Sequence, residues 1–546
     1  MGPVLSANVQ LALLASAALV PLLALGAWFW RRSFRAASLN TGQRVLKNSA
    51  IPFATRLVVR ALDLVFAVIL LSTLPGEAIG PYTFAALLVV QYFGTITEFG
   101  LGVLLTRDVA RDPGAAPRLF GATLLLRWLL TAATFPAAGL LIGGYALLAR
   151  VGAGEALSPE GQQVIWVLLL TLIPGAYSGA VTALYNAAER MEVPAFVELI
   201  TAILSLFARV AALMLGFGIL GLAWVAVGVS SVTALIYLAL QSRDFFRPSI
   251  GWDGALVRQL LPQSFPLMLN NLLSAVFFRF DTLIVKAFGG GQGDLLVAQY
   301  NVAYQILGVA MIVPPVVTFA VFPILARRAA GDRGALAEAQ RHTLQALLLL
   351  AFPIAVGMAA LAPELVALFT RRNAAAYLPI SAEVLAILAW FVPLSFANGL
   401  IQYVLIAIGR QSAITRAFLV GAAFNLAANL VAIPAASNLL GRPQLGLHAA
   451  AVITVLSEVV LLAMFLPLLR REQITPPLLR LAWRPAAAAL LMGAVLLGIR
   501  GFAPEAVWLG AVAGPPVYLL GVWALGGFGA EEIVFVRRIL GLNAER

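Results

Sequence analysis

The chain has 546 residues, of which 62% are hydrophobic and only 11% charged, whereas an ordinary soluble domain carries roughly a quarter charged residues. Its net charge of +12 would point to nucleic acid in a soluble protein. Here the arginines fall mostly in short loops between apolar runs, where they set topology and meet lipid head groups, so no nucleic-acid partner is expected.

Cysteine is absent, which excludes disulfides, thiolate metal sites and cysteine nucleophiles. The apolar runs, each of roughly 18 residues or more, are long enough to cross a hydrocarbon core of about 30 Å. They are continuously apolar rather than alternating, so helices are expected and a barrel is not.

In chain order the spans are predicted at Val9–Trp30, then 50–74, 82–105, 119–148, 163–187, 194–215 and 217–240. They continue at 264–288, 299–326, 337–361, 381–408, 413–437, 446–469, 484–500 and 504–526, fifteen in all. The first has its arginines after the apolar run, the reverse of a secretory signal, and reads as a retained helix. Alternate loops are arginine-rich, among them those holding Arg107, Arg111 and Arg118, then Arg243, Arg247 and Arg258, then Arg327, Arg328 and Arg333. The positive-inside rule makes these cytoplasmic, with the N-terminus outside and the C-terminus inside. Residues 241–263 read as an amphipathic interfacial linker, and "EEIVFVRRIL" as an amphipathic cytoplasmic tail.

A weak repeat divides the rest. Asp63 precedes Tyr82 by 19 residues and Asp281 precedes Tyr300 by 19, and a proline is expected to begin each of the two corresponding helices, Pro52 and Pro266. Six spans precede the linker and six follow it, the layout of a pseudo-symmetric transporter core. The expected organisation is an N-terminal helix and basic loop (1–46), an N-lobe (47–240), the linker (241–263), a C-lobe (264–470), and two further helices with a tail (471–546).

Only two lysines occur, Lys47 and Lys286, and neither follows a glycine. A Walker A loop is therefore missing, and the chain is not an ATP-driven pump of that type. The stretch Gly289-Gly290-Gly291-Gln292-Gly293 lacks the lysine and Ser/Thr of a phosphate cradle and is read as a loop. His342 and His448 lie in separate segments as helix-end residues, so neither a metal site nor any cofactor is expected.

Charges inside spans are costly and mark pathways or internal pairs. Arg56, Arg60 and Asp63 stand at i, i+4 and i+7 on one face, with Arg60 near the midplane. An Arg60–Asp63 tie between helices is the structural alternative to a substrate role. In the helix 264–288, Asn270, Ser274 and Asp281 form one stripe and Arg279 and Lys286 another. Arg279 and Asp281 are roughly 200° apart around the helix, and Arg279 is favoured as the cavity residue, while Lys286 is expected to snorkel outward. Arg127 could reach inner head groups. Glu198 and Arg209 lie nearer their helix ends, and Glu458 is a mid-span acid that could pair with an arginine or carry a proton. The amides Asn398, Gln402, Asn425 and Asn429 are expected to bond between helices. The net basic interior suits a phosphate-bearing cargo, because guanidinium binds phosphate bidentately.

At this point a family resemblance becomes specific. "LKNSAIPFATRLV", "GPYTFAALLVVQYFGTITEFGLGVLLTRDVARD", "YNAAERMEVPAFVELI", "FRFDTLIVKAFGG…VAQYNVAYQI", "VFPILARRAAGD" and "FNLAANLVAIP…GLHAAAVITVLSEVVLL" follow one another over about residues 46–470. In that order they resemble Wzx-type polysaccharide and lipid-linked oligosaccharide flippases of the multidrug/oligosaccharidyl-lipid/polysaccharide (MOP) exporter superfamily. The resemblance implies an all-α polytopic protein with a V-shaped, alternating-access pair of six-helix lobes. It implies a polyprenyl-pyrophosphate-linked saccharide as cargo, moved from the inner to the outer leaflet of the cytoplasmic membrane. A cationic cavity at Arg60 and Arg279, with Arg56, Asp63, Asp281 and Asn270 beside them, would hold the cargo. Glycosyltransferases or a polymerase of the same pathway would be its partners, with membrane lipids around it. The N-terminal helix departs from the family pattern.

Three other readings stay open: a lipid II flippase of the MurJ type, a multidrug or cation antiporter, and a membrane-embedded sugar polymerase or ligase. An antiporter would want deep carboxylates, and an enzyme would want acid/base residues on a sizeable outer loop.

Overall fold

The structure is a computed structural model that describes residues 41–527 apart from 249, 250, 252, 330, 440, 504 and 506. The span Val9–Trp30 and the tail at 531–540 lie outside the described residues. All regular structure among the described residues is helical. Among the described residues thirteen helical segments are long and apolar enough to cross a membrane, and with the helix Thr41–Thr73 they coincide with the fourteen predicted spans from 50 onward.

Several helices start where a side chain can accept from their free N–H groups. Ser158 takes the Gly161 N–H at 3.2 Å ahead of Pro159, and Asp332 takes those of Gly334 and Ala335 at 2.8 and 3.1 Å. Asp253 takes the Leu256 N–H at 3.0 Å. That bond, and then Arg118 beside it, hold the Asp253 carboxyl below its ordinary range. The segment expected as a separate interfacial linker is divided: its last part opens the helix Gly254–Ala287, which runs unbroken into the next span. Pro262 and Pro266 sit within this helix, so the expectation that a proline begins the span is corrected.

The chain divides into two compact units. One comprises the residues through Ala275 with Gly289–Ala298; the other comprises Val276–Phe288 with everything from Gln299. The division falls inside the helix Gly254–Ala287. In the first unit, Phe120, Leu184 and Tyr185 are fully buried in one cluster. In the second, the helices Leu478–Phe502 and Val507–Ala524 pack on Arg333–Ala360 through Val356, Met492 and Tyr518, and the Tyr518 hydroxyl donates to the Leu349 carbonyl at 2.8 Å. Within lipid such burial brings little hydrophobic gain, so close packing and interhelical hydrogen bonds hold the bundle together.

Ion pairs between loops join segments that the sequence assigns to the same side. Arg190 meets Asp244 at 3.0 Å, and Arg333 and Arg410 share Glu472 at 3.1 and 2.7 Å. Arg500 meets Glu364 on the other side at 3.2 Å. The glycine-rich stretch is a turn with positive φ at Gly290 and Gly291, and the Gly293 N–H donates to Glu155 at 2.9 Å.

The span Gly76–Arg111 is irregular. A π-helical segment at Leu87–Phe93 is followed by a break where Phe99 and Gly100 take φ of 51° and 72°. A Cβ on Gly100 would lie 2.6 Å from the Leu267 Cβ and 3.0 Å from the Ser264 carbonyl oxygen. The left-handed conformation and the contact with a neighbouring helix both demand glycine. Gly100→Ala is expected to cost about 2–4 kcal/mol, read as a lower melting temperature of the purified protein in detergent.

Candidate functional site

The first described helix of the N-terminal unit, Thr41–Thr73, carries Arg56, Arg60 and Asp63 on the face the spacing predicts. Arg60 lies about 20 Å from its C-terminal end at 1.5 Å per residue. The predicted Arg60–Asp63 tie is not formed. Asp63 accepts instead from Arg209 of the helix Glu192–Met214 at 3.3 Å. Arg209 is further fixed by its bond to the Ser205 carbonyl at 3.2 Å and by stacking 4.2 Å from the Phe66 ring centroid. Thus the aspartate has a partner one helix away. Arg56 and Arg60 are exposed and form no hydrogen bond or ion pair with a described residue.

In the second unit the repeat holds in sequence but not in bonding. Asp281 is 1% exposed, accepts from the Tyr300 hydroxyl, from Thr454 at 3.2 Å and from the Thr282 N–H at 2.7 Å. The Asp–Tyr pair spaced by 19 residues is therefore a hydrogen bond here, whereas Asp63 bonds to Arg209. Arg279 is half-buried, with its guanidinium 4.0 Å from the Tyr304 ring centroid and no ion pair to a described residue. Its neighbour Lys286 does not snorkel outward: it is 1% exposed. Asn270, in the first unit, is exposed.

Glu458 forms no salt bridge with an arginine among the described residues. It is buried and accepts from the Asn398 side chain at 2.6 Å. Asn425 donates to Ser457 at 3.0 Å and Asn429 to Asn425 at 3.0 Å. Asn398 and Asn425 thus bond between helices as expected, while the Asn429 bond stays within one helix. Of the histidines, His448 sits near the start of its helix, but His342 lies well inside Arg333–Ala360. Among the described residues no cluster of His, Asp and Glu could hold a metal ion.

Sequence reasoning missed the most enclosed charged group among the described residues of the N-terminal unit. Arg127 does not reach head groups: it is 2% exposed, pairs with Glu98 at 3.2 Å and donates to the Ala176 carbonyl at 3.3 Å. Glu98 ends the short helix Gly94–Glu98 just before the break, and accepts the N–H groups of Gly100 and Gly102 at 2.7 and 2.8 Å. One carboxylate thus caps the next helix and neutralises a buried guanidinium. Gly179 leaves room for that guanidinium, since a Cβ there would meet Nη1 of Arg127 at 2.5 Å. The pair lines a cleft of about 690 Å³ within this unit, bordered also by Gln91, Thr95, Ser230 and Asn271. That volume lies within the range of small-molecule sites.

Comparisons with known proteins agree with this architecture. A family model described as polysaccharide biosynthesis protein matches residues 45–328, and one described as MatE matches 266–431. A search of curated protein sequences found no significant match. Among solved structures, the lipid II flippase MurJ in an inward closed conformation aligns with a TM-score of 0.67 at 13% identity, over 90% of this chain and 100% of that one. An inward-facing multidrug resistance MATE family transporter aligns at 0.56 and 18% identity, over 77% and 98%. A MOP superfamily transporter from Pyrococcus furiosus aligns at 0.54 and 16%, over 79% and 95%. At these identities the structures establish a shared fold, and the family model supplies the membership. The chain belongs to the polysaccharide biosynthesis protein family and has the fold of the MOP superfamily transporters.

Proposed function

We propose that this multi-pass membrane protein is a flippase that moves a polyprenyl-pyrophosphate-linked saccharide from the inner to the outer leaflet of the cytoplasmic membrane. The observation that carries the reading is the state of the deep charges in the two pseudo-equivalent helices. Their carboxylates, Asp63 and Asp281, are bound by Arg209 and by hydroxyls, whereas the guanidinium groups of Arg60 and Arg279 form no salt bridge among the described residues, Arg279 acting on Asp281 only at longer range. An unpaired guanidinium in a span is expensive and calls for an anion, and a pyrophosphate offers the bidentate geometry that the planar fork binds best. Arg56 adds charge beside Arg60. Asp63 and Asp281 act by positioning their surroundings, and Asn270 offers an amide to the cargo.

The matched family and the likeness to a lipid II flippase support a lipid-linked saccharide as cargo. A cation antiporter is disfavoured by the same bonding, because it would require those carboxylates free. Glycosyltransferases that build the cargo and a polymerase that consumes it are the partners this role implies. Depleting the protein in its own cells should make the lipid-linked saccharide accumulate while exported polysaccharide falls. Unchanged export with no accumulation would overturn the reading.

A further inference from the structure

We infer that the cleft beside Glu98 and Arg127 is a subsite for the uncharged sugar hydroxyls of the cargo; the inference rests on the flippase reading above. Its chemistry differs from that of the unpaired arginines. The two formal charges in the cleft cancel, since Arg127 is engaged by Glu98 and the Ala176 carbonyl and Glu98 by Arg127 and two backbone N–H groups. Neither an anion nor a cation finds an uncompensated charge there.

What remains is an array of acceptors. Each hydroxyl around the cleft gives its one proton to a carbonyl of its own unit. Thr95 donates to Gln91 and Thr171 to Leu168, both at 2.6 Å, and Thr97 to Gly94 at 3.0 Å. Ser230 donates to Thr171 and Ser274 to Asn270, both at 3.1 Å. A hydroxyl has one donor and two acceptor lone pairs, so these five oxygens face a ligand as acceptors. Gln91 and Asn271 add side-chain amides that form no hydrogen bond with a described residue. Such a surface is matched by a ligand rich in O–H donors and without charge, which is a saccharide. A phosphate, which only accepts at its ionised oxygens, would meet mostly acceptors.

The cleft of about 690 Å³ has the size of a site for a small organic ligand. It belongs wholly to the N-terminal unit. Gln91 and Asn271 are the residues we assign to sugar selection, because their amides can both donate and accept and are not committed elsewhere.

The test uses the full-length protein in lipid nanodiscs and two probes: a polyprenyl diphosphate without sugar, and the same lipid bearing a neutral disaccharide, drawn from a panel of such disaccharides. Replacing Gln91→Ala together with Asn271→Ala should weaken binding of the preferred saccharide lipid about tenfold, as expected for the loss of about two hydrogen bonds. Binding of the sugar-free lipid should not change. Neither side chain holds an internal bond, so the melting temperature should stay at the wild-type value, and each single variant should show a smaller loss of the same selectivity. Equal weakening for both lipids, or no weakening for either, would overturn the subsite. Wild-type protein that binds both lipids equally well would overturn the subsite and leave the flippase reading standing. Wild-type protein that binds neither would overturn the cargo reading and the subsite with it.

Discussion

Glu98→Ala should be among the most destabilising single substitutions in the N-terminal unit, lowering stability by about 3–5 kcal/mol. Arg127 is 2% exposed, and removing its carboxylate leaves a buried charge uncompensated, a change that typically costs that much. The same substitution removes the acceptor of the Gly100 and Gly102 N–H groups, a cap whose loss costs about 1 kcal/mol on its own. Adding Arg127→Met should restore much of the loss, because the guanidinium no longer needs a partner and the methionine refills its space. Thermal unfolding of the purified variants in detergent measures this. If Glu98→Ala melts with the wild type, or the double variant is no better than the single, the pair is not holding the broken span in place.

Arg60→Ala and Arg279→Ala should behave in the opposite way, lowering saccharide export in complemented cells at least tenfold while protein levels stay near normal. Asp63 already has Arg209 as its partner, so removing Arg60 strands no buried carboxylate. By contrast Arg209→Ala should reduce folded protein, since it leaves Asp63 unpaired and removes the contact with Phe66. Lysine in place of Arg60 or Arg279 should recover export only in part, because an ammonium carries the charge without the planar fork. Normal export in Arg60→Ala would remove this arginine from the cargo site. A loss of protein in step with export would make it structural.

The contrast between these two pairs shows what could be read before the fold was known. Spans are legible because a run of apolar residues long enough to cross a bilayer has few alternatives. Arg60 and Arg279 are legible for the same reason, as charges interrupting such runs. Partner choice is not. Asp63 stands close to Arg60 in sequence yet bonds Arg209, 146 residues away, because side chains on one helix face compete with those of whichever helix packs against it. The Glu98–Arg127 pair was hidden by the local break that aims Glu98. Phe99 adopts a left-handed conformation with no proline or Asn-Gly signal to announce it, and only Gly100 hinted at a turn. Arg127 was misjudged because depth along a helix says nothing about which face is enclosed. The linker was misjudged because an amphipathic stretch and the span after it can be one continuous helix, as Gly254–Ala287 is.

The most direct measurement is translocation by the purified full-length protein in vesicles without nucleotide. A labelled polyprenyl-pyrophosphate saccharide placed in the inner leaflet should become accessible to an external glycosidase or lectin faster than in protein-free vesicles. Nucleotide should be unnecessary, because the chain has no Walker lysine. Vesicles holding Arg60→Ala or Arg279→Ala protein should be close to the protein-free rate. Wild-type protein no faster than empty vesicles, or a strict requirement for ATP by the purified protein, would contradict the account.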